Sequence, residues 1–244
     1  MSRHALWWLA TAPLLPLALP LALYTRRTAL RLPVAQGEPS GSVAAHLPGE
    51  PFRLLLIGES TVAGVGVSHF DQSLASCLAL ALAERLGRPV RWRACGENGI
   101  TAAEARERLL PLGLEEPADL ALLVFGVNDT THLTTSKLWV GSLTAIADAL
   151  AAQGCLVAFS AVPPLQHFSA LPWLLRQLMG WRAALLDHEL EGLAQRVGAM
   201  HCALDLPFEA EYLAEDGYHP SALGYRQWAL GLAERLTPSL RPLA

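Results

Sequence analysis

Charged side chains are scarce in this chain of 244 residues: Lys, Arg, Asp and Glu make up 16% of it, against 52% apolar residues. The 22 acidic and 18 basic residues leave a net charge of -4 and form no long run of either sign, so no basic face is offered to a phosphate backbone. Nucleic acid is therefore not an expected partner. Cysteine is also sparse. Cys77, Cys95, Cys155 and Cys202 include no C-x-x-C pair, which speaks against a zinc site or a thioredoxin-like redox centre. Each lies in an apolar run, where a free cysteine acts as a small hydrophobe; a disulfide stays open in an oxidising compartment. The eight histidines, among them His69, His132, His167 and His201, show neither an i, i+4 pair nor H-E-x-x-H, so no metal is expected. Phosphate loops are missing too. Gly64-Val65-Gly66 follows the first strand candidate, but there is no G-x-G-x-x-G and no Gly-Lys-Ser/Thr, and no cofactor is expected.

What the chain has in abundance is apolar sequence, first of all at its N-terminus. Residues 5–24 carry no charge, with Arg3 before them and Arg26, Arg27 and Arg31 after. Such a run is about long enough to cross the hydrocarbon layer as a helix of roughly 20 residues. It ends in Leu-Tyr-Thr-Arg-Arg, without the small residues of a cleavage site, so residues 1–32 are expected as an uncleaved membrane anchor. Pro13, Pro16 and Pro20 weaken the helix and allow a kinked or shallow insertion. Trp7, Trp8 and Tyr24 lie near its ends, where amphipathic rings prefer the headgroup level. Basic residues flank both sides, leaving the main domain cytoplasmic or periplasmic at an inner membrane. Residues 33–50, rich in Pro, Gly and Ser, read as a linker, and residues 51–244 as one catalytic-size domain.

In that domain, strand and helix patterns alternate. Strands are expected at 52–57, 89–95, 120–125, 155–162 and 200–206, and helices at 73–86, 102–110, 142–152, 173–197 and 222–236. Strict alternation implies right-handed crossovers and a doubly wound, five-stranded, mainly parallel sheet with helices on both faces. The near-continuous hydrophobicity of LLLI, LALLVF and CLVAF fits strands covered on both sides. In such sheets ligands bind beyond the carboxyl ends of the strands, where the winding changes direction.

Four polar clusters fall at that edge: Gly58-Glu59-Ser60-Thr61, Gly96-Glu97-Asn98-Gly99, Gly126-Val127-Asn128-Asp129 and Asp216-Gly217-Tyr218-His219-Pro220. Each alone could be a cap or a turn. Together they supply a nucleophile, a base with an orienting carboxylate, and donors for an oxyanion, the set that acyl transfer requires. A serine hydroxyl needs an imidazole to take its proton, and the imidazole needs a carboxylate to hold its tautomer. Asp216 and His219, three apart in one loop, can meet through a tight turn while the other ring nitrogen faces Ser60.

These motifs resemble the SGNH hydrolase superfamily, the GDSL esterases and lipases, over about residues 53–236. IGEST is similar to block I, the glycine of ENGIT to block II, GVND to block III and DGYHPSALGY to block V. The resemblance implies a flavodoxin-like three-layer fold, Ser60 as nucleophile, Asp216 and His219 as its triad partners, and an oxyanion hole from Ser60, Gly99 and Asn128. It implies a serine esterase or lipase acting on carboxylic esters of acyl-lipid or lysophospholipid type through an acyl-serine. An acyltransferase with the same triad and a catalytically silent binding module are the alternatives. The family's usual GDS stands here as Gly58-Glu59-Ser60, and the extra methylene of Glu59 is expected to alter loop packing more than chemistry.

One further stretch, residues 165–181, is apolar nearly all round. Leu171, Leu174, Leu178 and Trp181 recur at helical spacing and suit a face on the sheet, whereas Phe168, Trp173, Leu175 and Met179 lie off it. The stretch either packs wholly in the core or presents Trp173 and Met179 to line an acyl-chain channel or rest on the membrane.

Overall fold

In strand β2 (Phe52–Gly58), alternation of side chains sends Leu54 and Leu56 to one face of the sheet and Leu55 and Ile57 to the other, all at 2% exposure or less. Both faces are therefore covered. The computed structural model describes residues 2–204 and 206–240. Residue 1 of the expected anchor and residues 241–244 of the expected domain lie outside the described residues.

β2 pairs in parallel with β3 (Val90–Gly96) on one side and β4 (Leu120–Val124) on the other. β5 (Leu156–Ser160) and β6 (Met200–Cys202) continue the parallel sheet beyond β4. A further strand, β1 (Ser40–Val43), closes the other edge antiparallel to β3, so the order is β1-β3-β2-β4-β5-β6. Among the described residues the sheet thus has six strands rather than five, and the additional one falls within residues 33–50, expected as a linker. A half-solvated edge strand is held by its backbone and needs little hydrophobicity, so Ser40-Gly41-Ser42-Val43 carries no apolar signal. Gly41 fits because a Cβ there would stand 3.0 Å from the Trp92 ring.

One layer of helices holds α3 (Leu74–Leu86) and α9 (Ala222–Leu240), packed with Leu78, Leu82, Tyr225 and Trp228 against the sheet. The other holds α4 (Ala102–Arg108), α7 (Ser136–Ala151) and α8 (Trp173–Val197), whose core includes Trp139, Leu143 and Leu186. Local chemistry marks the ends: Ser73 caps α3, Thr101 and Glu104 form a capping box on α4, and Gly87 and Gly198 turn the chain out of α3 and α8. Two short helices, α5 (Leu110–Gly113) and α6 (Val127–Thr131), complete this side.

At the N-terminus, α1 (Arg3–Thr11) and α2 (Leu15–Thr28) are joined by a 3-10 turn at Ala12–Leu14, where Pro13 sits. They lie along α8. Trp7, expected at a headgroup surface, is 1% exposed, and its indole N-H donates to the Leu178 carbonyl at 2.9 Å.

Candidate active site

The winding reverses between β3 and β4, both of which flank β2; three of the four polar clusters follow the carboxyl ends of these strands, and the fourth reaches them on the loop after β6. After β2 the chain turns sharply: the Val62 N-H donates to the Glu59 carbonyl at 2.9 Å and the Val65 N-H to the Ser60 carbonyl at 2.9 Å. This turn holds Ser60 at 8% exposure, with its hydroxyl facing the loop that follows β6. That loop is folded on itself, the Ala214 N-H donating to the His219 carbonyl at 2.8 Å and Gly217 turning at φ 62°. Gly66 lets the two loops touch, because a Cβ there would stand 2.3 Å from the Pro220 carbonyl oxygen.

Ser60 Oγ lies 2.9 Å from His219 Nε2, and His219 Nδ1 lies 2.6 Å from Asp216 Oδ2. The second oxygen of Asp216 accepts the N-H groups of Tyr218 and His219 at 2.9 and 3.0 Å. Burial pushes the Asp216 carboxyl up, but its bonds to His219 and Tyr218 outweigh that and hold it below its ordinary range. An ionised Asp216 places the ring proton on Nδ1 and leaves Nε2 free to accept from the serine hydroxyl. The three residues expected from sequence are therefore assembled as a relay.

Asn128 opens α6 at the end of β4, and its side-chain amide donates to the Ile100 carbonyl at 3.0 Å. An amide nitrogen carries two hydrogens, so one donor remains. Gly99, just before Ile100, is exposed and adopts φ 86°, and a Cβ placed there would have no neighbour within 4 Å; its requirement is conformational rather than steric.

Two supporting carboxylates were not assigned by the motifs. Glu59 is 4% exposed, and its two oxygens accept the N-H groups of Val127 and Asn128 at 2.9 and 2.8 Å. Its role in loop packing is thus specific: it clamps the start of α6 to the turn that carries Ser60. Burial pushes its carboxyl up to about 8, against the pull of those N-H groups. Asp129, fully buried, accepts the Ala102 N-H at 3.0 Å and fastens α4 to the same loop, and burial raises its carboxyl too. Buried Arg182 donates to the carbonyls of Thr130 and Thr134 and closes the loop from beneath. The signal for Glu59 was its departure from the family's aspartate; Asp129 read only as part of a turn.

A cavity of about 30 Å³, room for roughly two waters, opens beside Ser60 and His219. Its walls are apolar, with Val127, Phe168, Leu206, Phe208, Tyr218 and Trp228 among them. Phe168 stands edge-on to Tyr218 at 4.9 Å. Trp173 and Met179, expected there, are not among its walls. Trp173 is 67% exposed at the start of α8, and Met179 is half-buried in the packing around that helix. The expected division into two faces does not hold: Leu174 and Leu178, expected on the sheet, join Leu175 and Met179 around Ala18 of the N-terminal helix, and Trp181 is 36% exposed. The four cysteines are free, and burial pushes the thiols of Cys155 and Cys202 up to about 11.

A three-layer α/β fold with a mostly parallel sheet and polar strand ends gathered at its switch point is the architecture of the SGNH hydrolases. The lipase/acylhydrolase from Enterococcus faecalis has a similar structure, with TM-score 0.62 and 20% identity over 79% of this chain and 99% of that one. So does the psychrotrophic esterase EstA from Pseudoalteromonas sp., with TM-score 0.62 and 16% identity over 77% and 98%. Among curated proteins, the GDSL-like esterase Rv1075c of Mycobacterium tuberculosis is 26% identical over 201 residues, 77% of this chain. The chain spans 63% of that relative's length. The profile of the GDSL-like Lipase/Acylhydrolase family matches residues 56–227, and the chain belongs to that family.

Proposed function

We propose that the protein is a membrane-associated serine esterase that cleaves carboxylic esters of apolar acyl groups, acyl lipids and lysophospholipids among them. The observation that carries this reading is the Asp216-His219-Ser60 relay, at 2.6 and 2.9 Å, beside an apolar cavity. Ser60 Oγ attacks the ester carbonyl as His219 Nε2 takes its proton, and Asp216 stabilises the imidazolium. The carbonyl oxygen gains negative charge and meets the N-H groups of Ser60 and Gly99 and the free amide hydrogen of Asn128. Collapse expels the alcohol, which takes the proton from His219, and leaves an acyl-serine. Water then attacks the acyl carbon, His219 again serving as base, and releases the acid and the free serine.

The apolar walls suit the first carbons of an acyl group, and the apolar N-terminal helix suits a lipid-borne substrate. EstA, similar in fold, has been solved inhibited by monoethylphosphonate, and an organophosphonate is the matching probe for this chain. A fluorophosphonate is expected to label the intact protein and not Ser60→Ala, with ester hydrolysis reduced by roughly three orders of magnitude or more in the variant. Hydrolysis by Ser60→Ala within tenfold of the parent would overturn the assignment.

A further inference from the structure

The helix formed by α1 and α2 is one long apolar segment, Arg3–Thr28, yet it buries a single narrow seam. Trp7, Thr11, Leu14, Ala18, Leu21 and Thr25 are the buried or half-buried positions, spaced alternately by four and three residues, with Leu15 beside them and His4 continuing the series. That spacing is the signature of two helices packed side by side along a shared stripe. The partner is α8. His4 Nε2 lies 2.9 Å from Glu189 Oε1, the Arg182 guanidinium sits 5.0 Å over the Trp7 ring, and Ala18 packs on Leu175 and Leu178. Numbers fall along α8 as they rise along the N-terminal helix, so the two are antiparallel.

α8 carries Arg176, Arg182, Asp187, His188, Glu189 and Glu191 and cannot enter hydrocarbon. A helix docked along it cannot at the same time cross a bilayer. The opposite side of the docked helix is apolar throughout: Leu9, Leu17, Leu19, Leu23 and Tyr24 are each between 55% and 67% exposed. Trp173, at the start of α8 and next to Leu174 of the seam, is exposed as well. Water-soluble surfaces seldom carry so continuous an apolar strip. The segment's own charge has one sign, since Arg3, Arg26, Arg27 and Arg31 occur with no acidic residue before Glu38.

We infer that the N-terminal helix stays docked on α8 and lies in the plane of an anionic bilayer, its outward leucines at the headgroup boundary and its arginines on lipid phosphates. This rests on the membrane association proposed above and replaces a spanning anchor with an interfacial one. Phe168, which lines the Ser60 cavity, lies in the turn just before α8, the helix on which the N-terminal segment docks.

The full chain is reconstituted by detergent removal into vesicles of phosphatidylcholine and phosphatidylglycerol. Cysteines are placed at both ends of the segment, Ser2→Cys and Ala29→Cys, with Cys77→Ser and Cys95→Ser removing the half-buried thiols. A membrane-impermeant maleimide mass tag then counts accessible ends per molecule. The docked helix gives molecules with two tags or none, because both ends share a side; a population carrying one tag, the mark of a spanning helix, overturns the proposal. In parallel, Leu17→Glu with Leu23→Glu is expected to weaken vesicle binding roughly tenfold or more, as is omission of phosphatidylglycerol, while hydrolysis of a soluble acetyl ester is unchanged. Undiminished flotation in either case overturns it, as does a parent protein that ignores vesicles and dimerises through this face. Fluorophosphonate labelling of Ser60 is read on the same samples, which separates failure of the membrane arrangement from failure of the esterase reading.

Discussion

Replacing Glu59 by Gln keeps the shape of the side chain but exchanges one of its two acceptor oxygens for an NH2 group. The carboxyl oxygens receive the N-H groups of Val127 and Asn128, and both bonds lie within a residue that is 4% exposed. In the variant one of these N-H groups must face another donor. A buried donor left unpaired costs about 1–3 kcal/mol. For a chain of this size that amounts to a fall in Tm of roughly 2–12 °C. The lost bond also releases the segment carrying Asn128, and displacement of an oxyanion donor by about 1 Å is enough to lower kcat by ten- to a hundredfold with KM little changed. The pH dependence gives an independent reading. Burial raises the Glu59 carboxyl from its ordinary 4.5 to about 8, so between those values the folded protein binds a proton that the unfolded chain has lost. Stability from this group is then complete below 4.5 and drains away as pH rises through about 8, a change on the order of 5 kcal/mol. Glu59→Gln lacks this slope. Its deficit against the parent should be largest near the acid end of that window and, because the parent's loss exceeds the about 1–3 kcal/mol of the unpaired donor, should reverse before pH 8. The assay is thermal melting across pH beside steady-state hydrolysis of p-nitrophenyl acetate. A variant with unaltered Tm at every pH and unaltered kcat would refute the clamp.

Asn128→Ala should lower kcat by about 10²- to 10³-fold, the usual loss for one oxyanion donor, and steady-state kinetics showing a raised KM with kcat preserved would make it a binding residue instead. Asp216, held below its ordinary carboxyl range, contributes stability that is present above pH 3.8 and lost as pH falls through its lower folded value. Acid melting curves of Asp216→Asn should lack that loss, and an acid limb identical to the parent's would count against the bond to His219. Phe168→Ala should enlarge the cavity and shift preference from acetyl toward longer acyl esters, whereas Trp173→Ser should leave chain-length preference unchanged; the reverse result in a p-nitrophenyl ester series would restore Trp173 to the pocket.

The parts of the fold buried on two sides were readable because burial leaves a compositional mark. The five parallel strands fall within the expected apolar runs, apart from an extra terminal residue on β2 and β3, and the helix at Trp173–Val197 has the expected bounds. β1 left no such mark, since backbone pairing with β3 is indifferent to its Ser and Gly side chains. The same division runs through the site. Ser60, Asp216 and His219 meet because each stands at a strand end or in a tight loop, where type and spacing are visible. Glu59 and Asp129 act through backbone N-H groups, which every residue but proline owns, and no pattern of side chains announces which N-H a buried carboxylate will meet.

The N-terminal helix shows the limit from the other direction. Where nearly every residue is apolar, hydrophobicity no longer distinguishes the stripe that packs on protein from the faces left exposed, and length alone then suggests a span. The distinguishing residues are those that would be wasteful in a bilayer and useful at a protein contact. Thr11 and Ala18 are small enough for close approach along the seam, and Trp7 has an indole N-H that finds the Leu178 carbonyl and a ring that covers the buried Arg182. Arg182 in turn holds the carbonyls of Thr130 and Thr134, in the loop that carries Asn128 and Asp129 at its start. A docked helix therefore shields from water the cation that braces the oxyanion loop. Peeling it away would expose that cation and its carbonyl partners together, so the contact between the N-terminal helix and α8 also steadies the loop of Asn128.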